Sequence, residues 1–215
     1  MQKIRAVIFD LDGTIGNTLP LCIKAFRQAV EPLIERTVSD AEIIATFGPS
    51  EEGTIMALAP DHYERGVAGY LQHYTAYHEM CPAPFEGIKD LLKTLQAKGV
   101  RLAMVTGKGV HSTAISLEQF GVQPYFEMVE TGVPAGPRKP EGIQAVINHF
   151  NGISKGEMIY VGDAPSDIIA SKSVGVPVVA AAWAETAEPE LLKALEPDAL
   201  FYTIQEFAAW LMLKV

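Results

Sequence analysis

The second half of the sequence alternates between apolar runs of strand length and stretches with helical periodicity, joined by short connections. This alternation constrains the fold more than any other feature of the chain, because it predicts an α/β fold: a Rossmann-like parallel sheet with helices on both faces. The strands predicted in this half are Val100–Val105, Phe126–Glu130, Met158–Val161, Pro177–Ala180 and Ala199–Tyr202.

One further strand is predicted near the start of the chain, where the apolar run Ile4–Phe9 ends in Asp10-Leu11-Asp12-Gly13-Thr14. An uninterrupted apolar run of this length indicates a strand buried on both faces, and we expect it to be the central strand. Ligands of such sheets bind outside the carboxyl ends of the strands, so both carboxylates are expected at the functional edge. The alternative interpretation is a solvated turn, in which Asp and Gly are common.

Residues 16–85 differ from the rest of the chain, because apolar residues recur there at helical spacing and no convincing strand is present. We predict that this helical segment (residues 16–85) is an all-helical cap inserted into an α/β core formed by residues 1–15 and 86–215. Its end contains Pro82 and Pro84, which suit a stiff connector at a domain boundary. The loop from Phe47 to Ser50 is a candidate for facing a substrate, and the tyrosines are interpreted as packing residues.

Composition excludes several classes of function. A chain of 215 residues that is 48% hydrophobic is large enough to bury a stable core without disulfides or structural metals. The net charge of −9 disfavours nucleic acid as the main partner. The sequence contains no run of eighteen apolar residues, so a membrane span is not expected. Cys22 and Cys81 lack metal-ligand or redox spacing, so we expect free thiols and a cytoplasmic location.

Polar residues follow three of the predicted strands at the points where the strands end. Asp10 and Asp12 follow the first strand, Thr106 follows the second, and Asp163 with Asp167 follows the strand at Met158–Val161. The carboxyl ends of parallel strands share one edge, so these residues are expected to converge. Because Asp10, Asp12 and Asp163 would repel one another in a desolvated pocket, the cluster predicts a hard cation, and Mg²⁺ suits carboxylates combined with a substrate phosphate.

Phosphate binding is predicted at two places beside these carboxylates. Thr106 offers a hydroxyl and the neighbouring backbone amides, including that of Gly107, and Lys139 offers a compact positive charge. Arg138 is a second candidate for the role of Lys139, although a solvated loop charge is the simpler interpretation. Lys108 is interpreted as a surface charge at the start of a helix.

Taken together and in this order, the motifs resemble those of the haloacid dehalogenase-like superfamily of hydrolases. The resemblance extends over the whole chain, and the layout is most similar to the phosphoglycolate phosphatase-type branch with a helical cap. The matching elements are Asp10-Leu11-Asp12-Gly13-Thr14, Thr106 after a strand, Lys139, and Gly162-Asp163 with Asp167.

The resemblance implies a Mg²⁺-dependent phosphatase that acts on a small phosphorylated metabolite. It implies that Asp10 is the nucleophile that forms an aspartyl-phosphate and that Asp12 is the general acid and base. It also implies that Thr106 and Lys139 stabilise the transferred phosphoryl group. Mg²⁺ would be bound by Asp10, the backbone carbonyl of Asp12, and Asp163. For Asp167 two interpretations stand, a carboxylate at a helix start and a residue that orients Lys139 or a water on the metal.

Other functions are compatible with the same motifs. A dehalogenase would lack the second carboxylate of the first motif, which is present here as Asp12. A phosphomutase or a pyrophosphatase would retain the whole α/β core. In a different class, a non-catalytic phosphate-sensing module would tolerate loss of the nucleophile or the acid, and neither is lost in this sequence.

Overall fold

The computed structural model of this protein describes residues 3–215 and is built around one parallel sheet. Its strands are β1 (Ala6–Phe9), β2 (Arg101–Val105), β3 (Met128–Glu130), β4 (Met158–Gly162), β5 (Val178–Ala181) and β6 (Ala199–Phe201). The strand order is β3-β2-β1-β4-β5-β6, and every neighbouring pair is parallel. The prediction of a Rossmann-like α/β fold is therefore confirmed.

Strand β1 lies inside the sheet, paired with β2 on one side and β4 on the other, as predicted for the central strand. All four of its residues are buried, because helices cover both faces of the sheet. Val7 and Phe9 pack into the apolar cluster on one face, while Ala6 and Ile8 pack into the cluster on the other. Side chains alternate between the faces of a strand, so a strand covered on both sides needs a continuous apolar run.

Ten α-helices are present in the part of the chain that the structure describes. They are α1 (Leu19–Ile34), α2 (Asp40–Ile44), α3 (Glu51–Leu58), α4 (Tyr63–Ala76), α5 (Ile88–Ala97), α6 (Val110–Phe120), α7 (Lys139–His149), α8 (Pro165–Val174), α9 (Pro189–Ala194) and α10 (Ile204–Met212). Helices α5, α6 and α10 pack on one face of the sheet. Helices α7, α8 and α9 pack on the other, which gives a three-layer architecture.

Helices α1–α4 lie between β1 and β2 in the chain and form a hydrophobic cluster of their own. Helix α1 packs mainly against α4, and the rings of Phe26 and Tyr70 stack there with their centroids 4.1 Å apart. No strand is found between residues 10 and 100. We propose that these helices form the inserted cap, with the boundaries at residues 16 and 85 still a prediction. Within residues 3–215, no helix has the length and apolar character that a membrane span requires.

Candidate active site

Three side chains from two loops meet at the carboxyl edge of the sheet. Asp10 directly follows β1, Asp163 directly follows β4, and Asp167 lies in the first turn of α8. One carboxylate oxygen of each lies within 4.8 Å of the others. The convergence of Asp10, Asp163 and Asp167 that the strand ends predicted is therefore present.

Lys139, the first residue of α7, brings a positive charge into this group. Its Nζ donates a hydrogen bond of 2.7 Å to Asp10 Oδ2 and a second, short one to Asp167 Oδ1. Burial alone would lower the pKa of the Lys139 ammonium, but the two carboxylates raise it well above its ordinary value. Lys139 is thus a fixed cation between two acids.

Asp167 is completely buried and fully engaged in hydrogen bonds. Its Oδ2 accepts from the backbone N–H of Ala164 at the start of α8 (2.9 Å), and its Oδ1 accepts from the Tyr160 hydroxyl (2.8 Å) and from Lys139. Both interpretations of its sequence position fit this geometry, since Asp167 caps a helix and also holds Lys139 in place.

The carboxylates of Asp10 and Asp163 are held in surroundings that disfavour their charge. Burial raises the pKa of Asp10 to about 7, with Lys139 opposing this and Asp167 adding to it. Burial and the neighbouring acids Asp167 and Asp10 also raise the pKa of Asp163 well above its usual range. Crowded carboxylate oxygens are hard ligands whose repulsion a divalent cation would relieve, so the donor set of Asp10 and Asp163 fits Mg²⁺.

Two glycines make room for these acids. Gly13 has φ +72°, and a Cβ atom at this position would lie 2.0 Å from Asp163 Oδ2. A Cβ atom at Gly162 would lie 2.3 Å from Asp167 Cγ. Distances this short are sterically forbidden, so the two glycines allow the carboxylates to approach the backbone of the loops.

Asp12 lies two residues after Asp10, but its side chain has different neighbours, so the predicted cluster of Asp10, Asp12 and Asp163 is found with Asp167 in place of Asp12. Asp12 Oδ1 accepts a short hydrogen bond from the Thr18 hydroxyl and lies 3.3 Å from Lys108 Nζ. The proposed metal contact through the backbone carbonyl of Asp12 stays a prediction.

The interpretation of Lys108 as a surface charge is wrong. The residue is only 7% exposed, and its ammonium lies 3.1 Å from Cys22 Sγ and 4.4 Å from the centre of the Tyr74 ring. Although burial acts to lower the pKa of Lys108, Asp12 and the other acidic neighbours raise it well above its usual value. A usable signal was present in the sequence, because Lys108 follows Thr106 by two residues at the same edge of the sheet.

The other predicted phosphate-binding residues lie at the same edge. Thr106 is 2% exposed, and its Oγ1 accepts a 3.2 Å hydrogen bond from the backbone N–H of Lys108. Gly107 lines the cavity described below. Arg138 instead lies 3.3 Å from Glu130 and donates to the carbonyl of Thr131, so its guanidinium is paired within the protein.

A cavity of about 700 Å³ separates the carboxylates from the helical segment. The α/β core contributes Asp10, Asp12, Asp163, Lys108 and Lys139 to its lining, among others. The helical segment contributes Phe47, Gly48 and Pro49, and the prediction that this loop faces a substrate stays a prediction. Tyr70 also lines the cavity, so its interpretation as a packing residue was incomplete. The cavity is large enough for a small organic ligand.

Sequence reasoning missed Glu51, which links the helical segment to the α/β core. Its carboxylate is 4% exposed and accepts hydrogen bonds from the backbone N–H of Gly109 (2.6 Å) and the hydroxyl of Ser112 (2.8 Å) at the start of α6. Nothing in the local sequence distinguishes Glu51 from an ordinary acidic residue in the first turn of a helix.

A parallel α/β sheet with acids after its first and fourth strands and a lysine between them defines a class of hydrolases. The sequence model of the haloacid dehalogenase-like hydrolases matches residues 7–181, which include the whole carboxylate cluster and Lys139. The chain therefore belongs to the haloacid dehalogenase-like hydrolase family, and the predicted resemblance is confirmed.

Individual relatives cover nearly the whole chain. The chain is 31% identical over 199 residues to the pyrophosphatase PpaX of Halalkalibacterium halodurans, with 92% of each chain covered. It is 32% identical over 216 residues to the putative pyrophosphatase PpaX of Caldanaerobacter subterraneus, covering 100% of this chain and 95% of that protein. The solved structure of a predicted phosphoglycolate phosphatase from Haemophilus somnus shares the fold, with a TM-score of 0.80 at 22% identity over 100% of both chains.

Proposed function

We propose that this protein is a Mg²⁺-dependent phosphatase that hydrolyses a small phosphomonoester through an aspartyl-phosphate on Asp10. The observation that carries the proposal is the position of Asp10. Its carboxylate lines the cavity, beside the oxygens of Asp163 and 2.7 Å from Lys139 Nζ. Membership of the hydrolase family supports the same chemistry.

Both oxygens of Asp10 are held in place for attack on phosphorus. Oδ1 accepts a 2.7 Å hydrogen bond from the backbone N–H of Leu11, and Oδ2 accepts from Lys139. In the proposed first step a carboxylate oxygen of Asp10 bonds to phosphorus, and the bond from phosphorus to the leaving oxygen breaks. A fixed nucleophile avoids much of the entropic cost of bringing the reactants together.

Asp10, Asp163 and the backbone carbonyl of Asp12 would hold the metal ion. When bound, Mg²⁺ supplies positive charge that neutralises phosphate oxygens and favours the ionised form of the carboxylates. Lys139 and the Thr106–Gly107 turn would stabilise the remaining charge on the transferred phosphoryl group.

Asp12 is the proposed proton carrier. It gives a proton to the leaving oxygen in the first step and takes one from water in the second, when water attacks the phosphorus and the Asp10 carboxylate is restored. The Thr18 hydroxyl and the Lys108 ammonium fix the orientation of the Asp12 carboxylate. Uncatalysed phosphate-monoester hydrolysis is extremely slow, so nucleophile, cation and acid must act together.

The proposal is tested by turnover of an aryl phosphate with a defined metal content. We expect hydrolysis with Mg²⁺, loss of activity on chelation, and recovery when Mg²⁺ is restored. Full activity in chelator, with metal content verified as nil, would refute the proposed mechanism.

A second candidate function is pyrophosphate hydrolysis. The support for it is that the relatives 31% and 32% identical to this chain are named as a pyrophosphatase and a putative pyrophosphatase. Both activities would use the same nucleophile, so a comparison of kcat/KM for pyrophosphate and for phosphomonoesters distinguishes them.

A further inference from the structure

The two sides of the cavity have different chemistry. The α/β core contributes every charged lining residue except Glu51, together with small and apolar residues such as Pro140 and Ile169, whereas the lining contributed by the helical segment is largely apolar. The apolar side consists mainly of Leu19, Cys22, Phe26, Phe47, Pro49 and Tyr70.

Three aromatic rings on the apolar side pack against one another. Phe26 stacks on Tyr70 with 4.1 Å between ring centroids and lies 5.9 Å from the ring of Phe47. A hydrocarbon group would find a matching surface here, because apolar area gains free energy when it leaves water.

Charge on the lining residues argues against a second anionic group on the substrate. Lys108 and Lys139 are the basic residues among those that line the cavity, and they face Asp12 and Asp10, respectively. Glu51 is the charged residue that the helical segment contributes to the lining. Lys139 is assigned to the transferred phosphoryl group and Lys108 is paired with Asp12, so a carboxylate or second phosphate on the substrate would meet an acid and aromatic rings on the helical side.

We propose that the natural substrate is a phosphomonoester whose leaving group is an uncharged, mainly apolar carbon skeleton. The inference rests on the proposed function and names its substrate class. Pyrophosphate and phosphorylated carboxylic acids would be poor substrates, because their second anionic group lacks a partner. A cavity of about 700 Å³ also exceeds what pyrophosphate alone would fill.

The test compares kcat/KM for ethyl, butyl and hexyl phosphate, pyrophosphate and phosphoglycolate at one Mg²⁺ concentration. Burial of one methylene group can raise kcat/KM by at most about fourfold. We therefore expect kcat/KM to rise roughly two- to fourfold for each methylene added to the alkyl chain. The kcat/KM values for pyrophosphate and for phosphoglycolate should be no higher than the value for ethyl phosphate. Equal kcat/KM along the alkyl series, or a kcat/KM for pyrophosphate or phosphoglycolate above that for hexyl phosphate, would overturn the inference.

Variants of Phe47 test whether the apolar side sets this preference. Phe47 is 37% exposed, so the fold should tolerate its replacement. Phe47→Ala should lower the ratio of kcat/KM for hexyl phosphate to kcat/KM for ethyl phosphate. Phe47→Lys should raise the ratio of kcat/KM for phosphoglycolate to kcat/KM for hexyl phosphate. Met56→Ala is the control, because Met56 is 51% exposed and does not line the cavity. Parent-like ratios in both Phe47 variants would overturn the inference.

Calorimetric binding of the same alkyl phosphates to Asp10→Asn with Mg²⁺ separates the two proposals. Hydrolysis by the parent enzyme without any effect of chain length on kcat/KM or on binding would refute the substrate class and leave the proposed function intact. Binding that strengthens with chain length, without hydrolysis by the parent enzyme, would refute the proposed function and support the ligand class.

Discussion

At the scale of single residues, Asp10 and Asp12 show how two acids in one loop acquire different surroundings. Asp10 faces the N–H of Leu11 and the Lys139 ammonium, while Asp12 faces Thr18 and Lys108. The difference supports separate roles as nucleophile and proton carrier. We expect Asp10→Asn to abolish both phosphoenzyme and product, because the attacking oxygen is removed.

Asp12→Asn should keep the nucleophile but lose the group that carries the proton. With an aryl phosphate, whose acidic phenol leaves without help, the variant should release about one equivalent of phenol per site in a burst, followed by slow turnover. An alkyl phosphate should give no burst. Stopped-flow absorbance measures the phenol, and metal binding to both variants is the control. A burst from Asp10→Asn would contradict the assignment.

Gly13 provides a second test at this scale. Gly13→Ala should lower kcat/KM by about 10- to 100-fold, because the new Cβ would displace Asp163 from the proposed metal site. Gly152→Ala is a matched control, since Gly152 has φ +86° but a Cβ atom there would have no neighbouring atom within 4 Å. That control should cost about 1–2 kcal/mol of unfolding free energy and leave activity unchanged. Equal activity losses in the two variants would contradict the argument.

The positions of residues at strand ends were predictable, because a parallel sheet places the carboxyl ends of its strands at one edge regardless of loop conformation. Asp10, Asp163 and Asp167 follow from this rule, whereas Lys139 was predicted as a phosphate-binding residue from its charge and from the family resemblance. Lys108 and Glu51 were missed because their burial depends on how the helical segment packs against the loop after β2. Periodicity specifies the buried face of one element and does not specify contacts between elements.

At the scale of elements, Glu51 joins two helices through their amino-terminal ends. It is the first residue of α3, and its carboxylate accepts from Gly109 and Ser112 at the start of α6. One negative charge thus faces the positive ends of two helix dipoles. The hydrogen bond between Ser50 N and Val133 O, at 3.0 Å, lies beside this contact and links the same two parts of the chain.

Glu51→Gln should weaken this link by about 1–3 kcal/mol, because a charged acceptor of two hydrogen bonds is lost. Hydrogen exchange should become faster at residues 46–58 and 109–116, with little change in the central strands. Glu52→Gln is the control, since Glu52 accepts from the Ser50 hydroxyl within its own helix start. The same increase in exchange in the control would show that Glu51 has no special role.

The strands were predictable to within a few residues because burial dictates their apolar pattern. The strand predicted at Phe126–Glu130 is shorter in the structure, at Met128–Glu130, because it pairs only with Ala103–Val105 at the edge of the sheet. Ends of elements depend on hydrogen-bond partners elsewhere in the chain, which the local pattern does not show.

At the scale of the whole molecule, metal binding and stability should be linked through pH. The pKa of Asp10 is about 7 in the folded protein against an ordinary 3.8. Between these values the folded state binds more protons than the unfolded state, so this group lowers the stability of the metal-free protein as pH rises from about 4 to 7. Mg²⁺ binds the ionised form and should offset the loss.

We therefore expect Mg²⁺ to raise Tm more at about pH 8 than at about pH 5.5, as measured by scanning calorimetry. The Asp10→Asn variant is the control, because it lacks the titrating carboxyl and should show a smaller pH dependence of the Mg²⁺ effect. An equal Mg²⁺-induced shift at the two pH values in the parent protein would contradict this linkage.

The position of β1 in the sheet has a consequence for folding during synthesis. This fully apolar strand leaves the ribosome first, but its partners β2 and β4 begin only at Arg101 and Met158. Helices α1–α4, which pack largely on one another, are synthesised in the interval. Local helices form before such distant pairings, so the nascent chain carries an unpaired apolar strand at least until β2 has been translated.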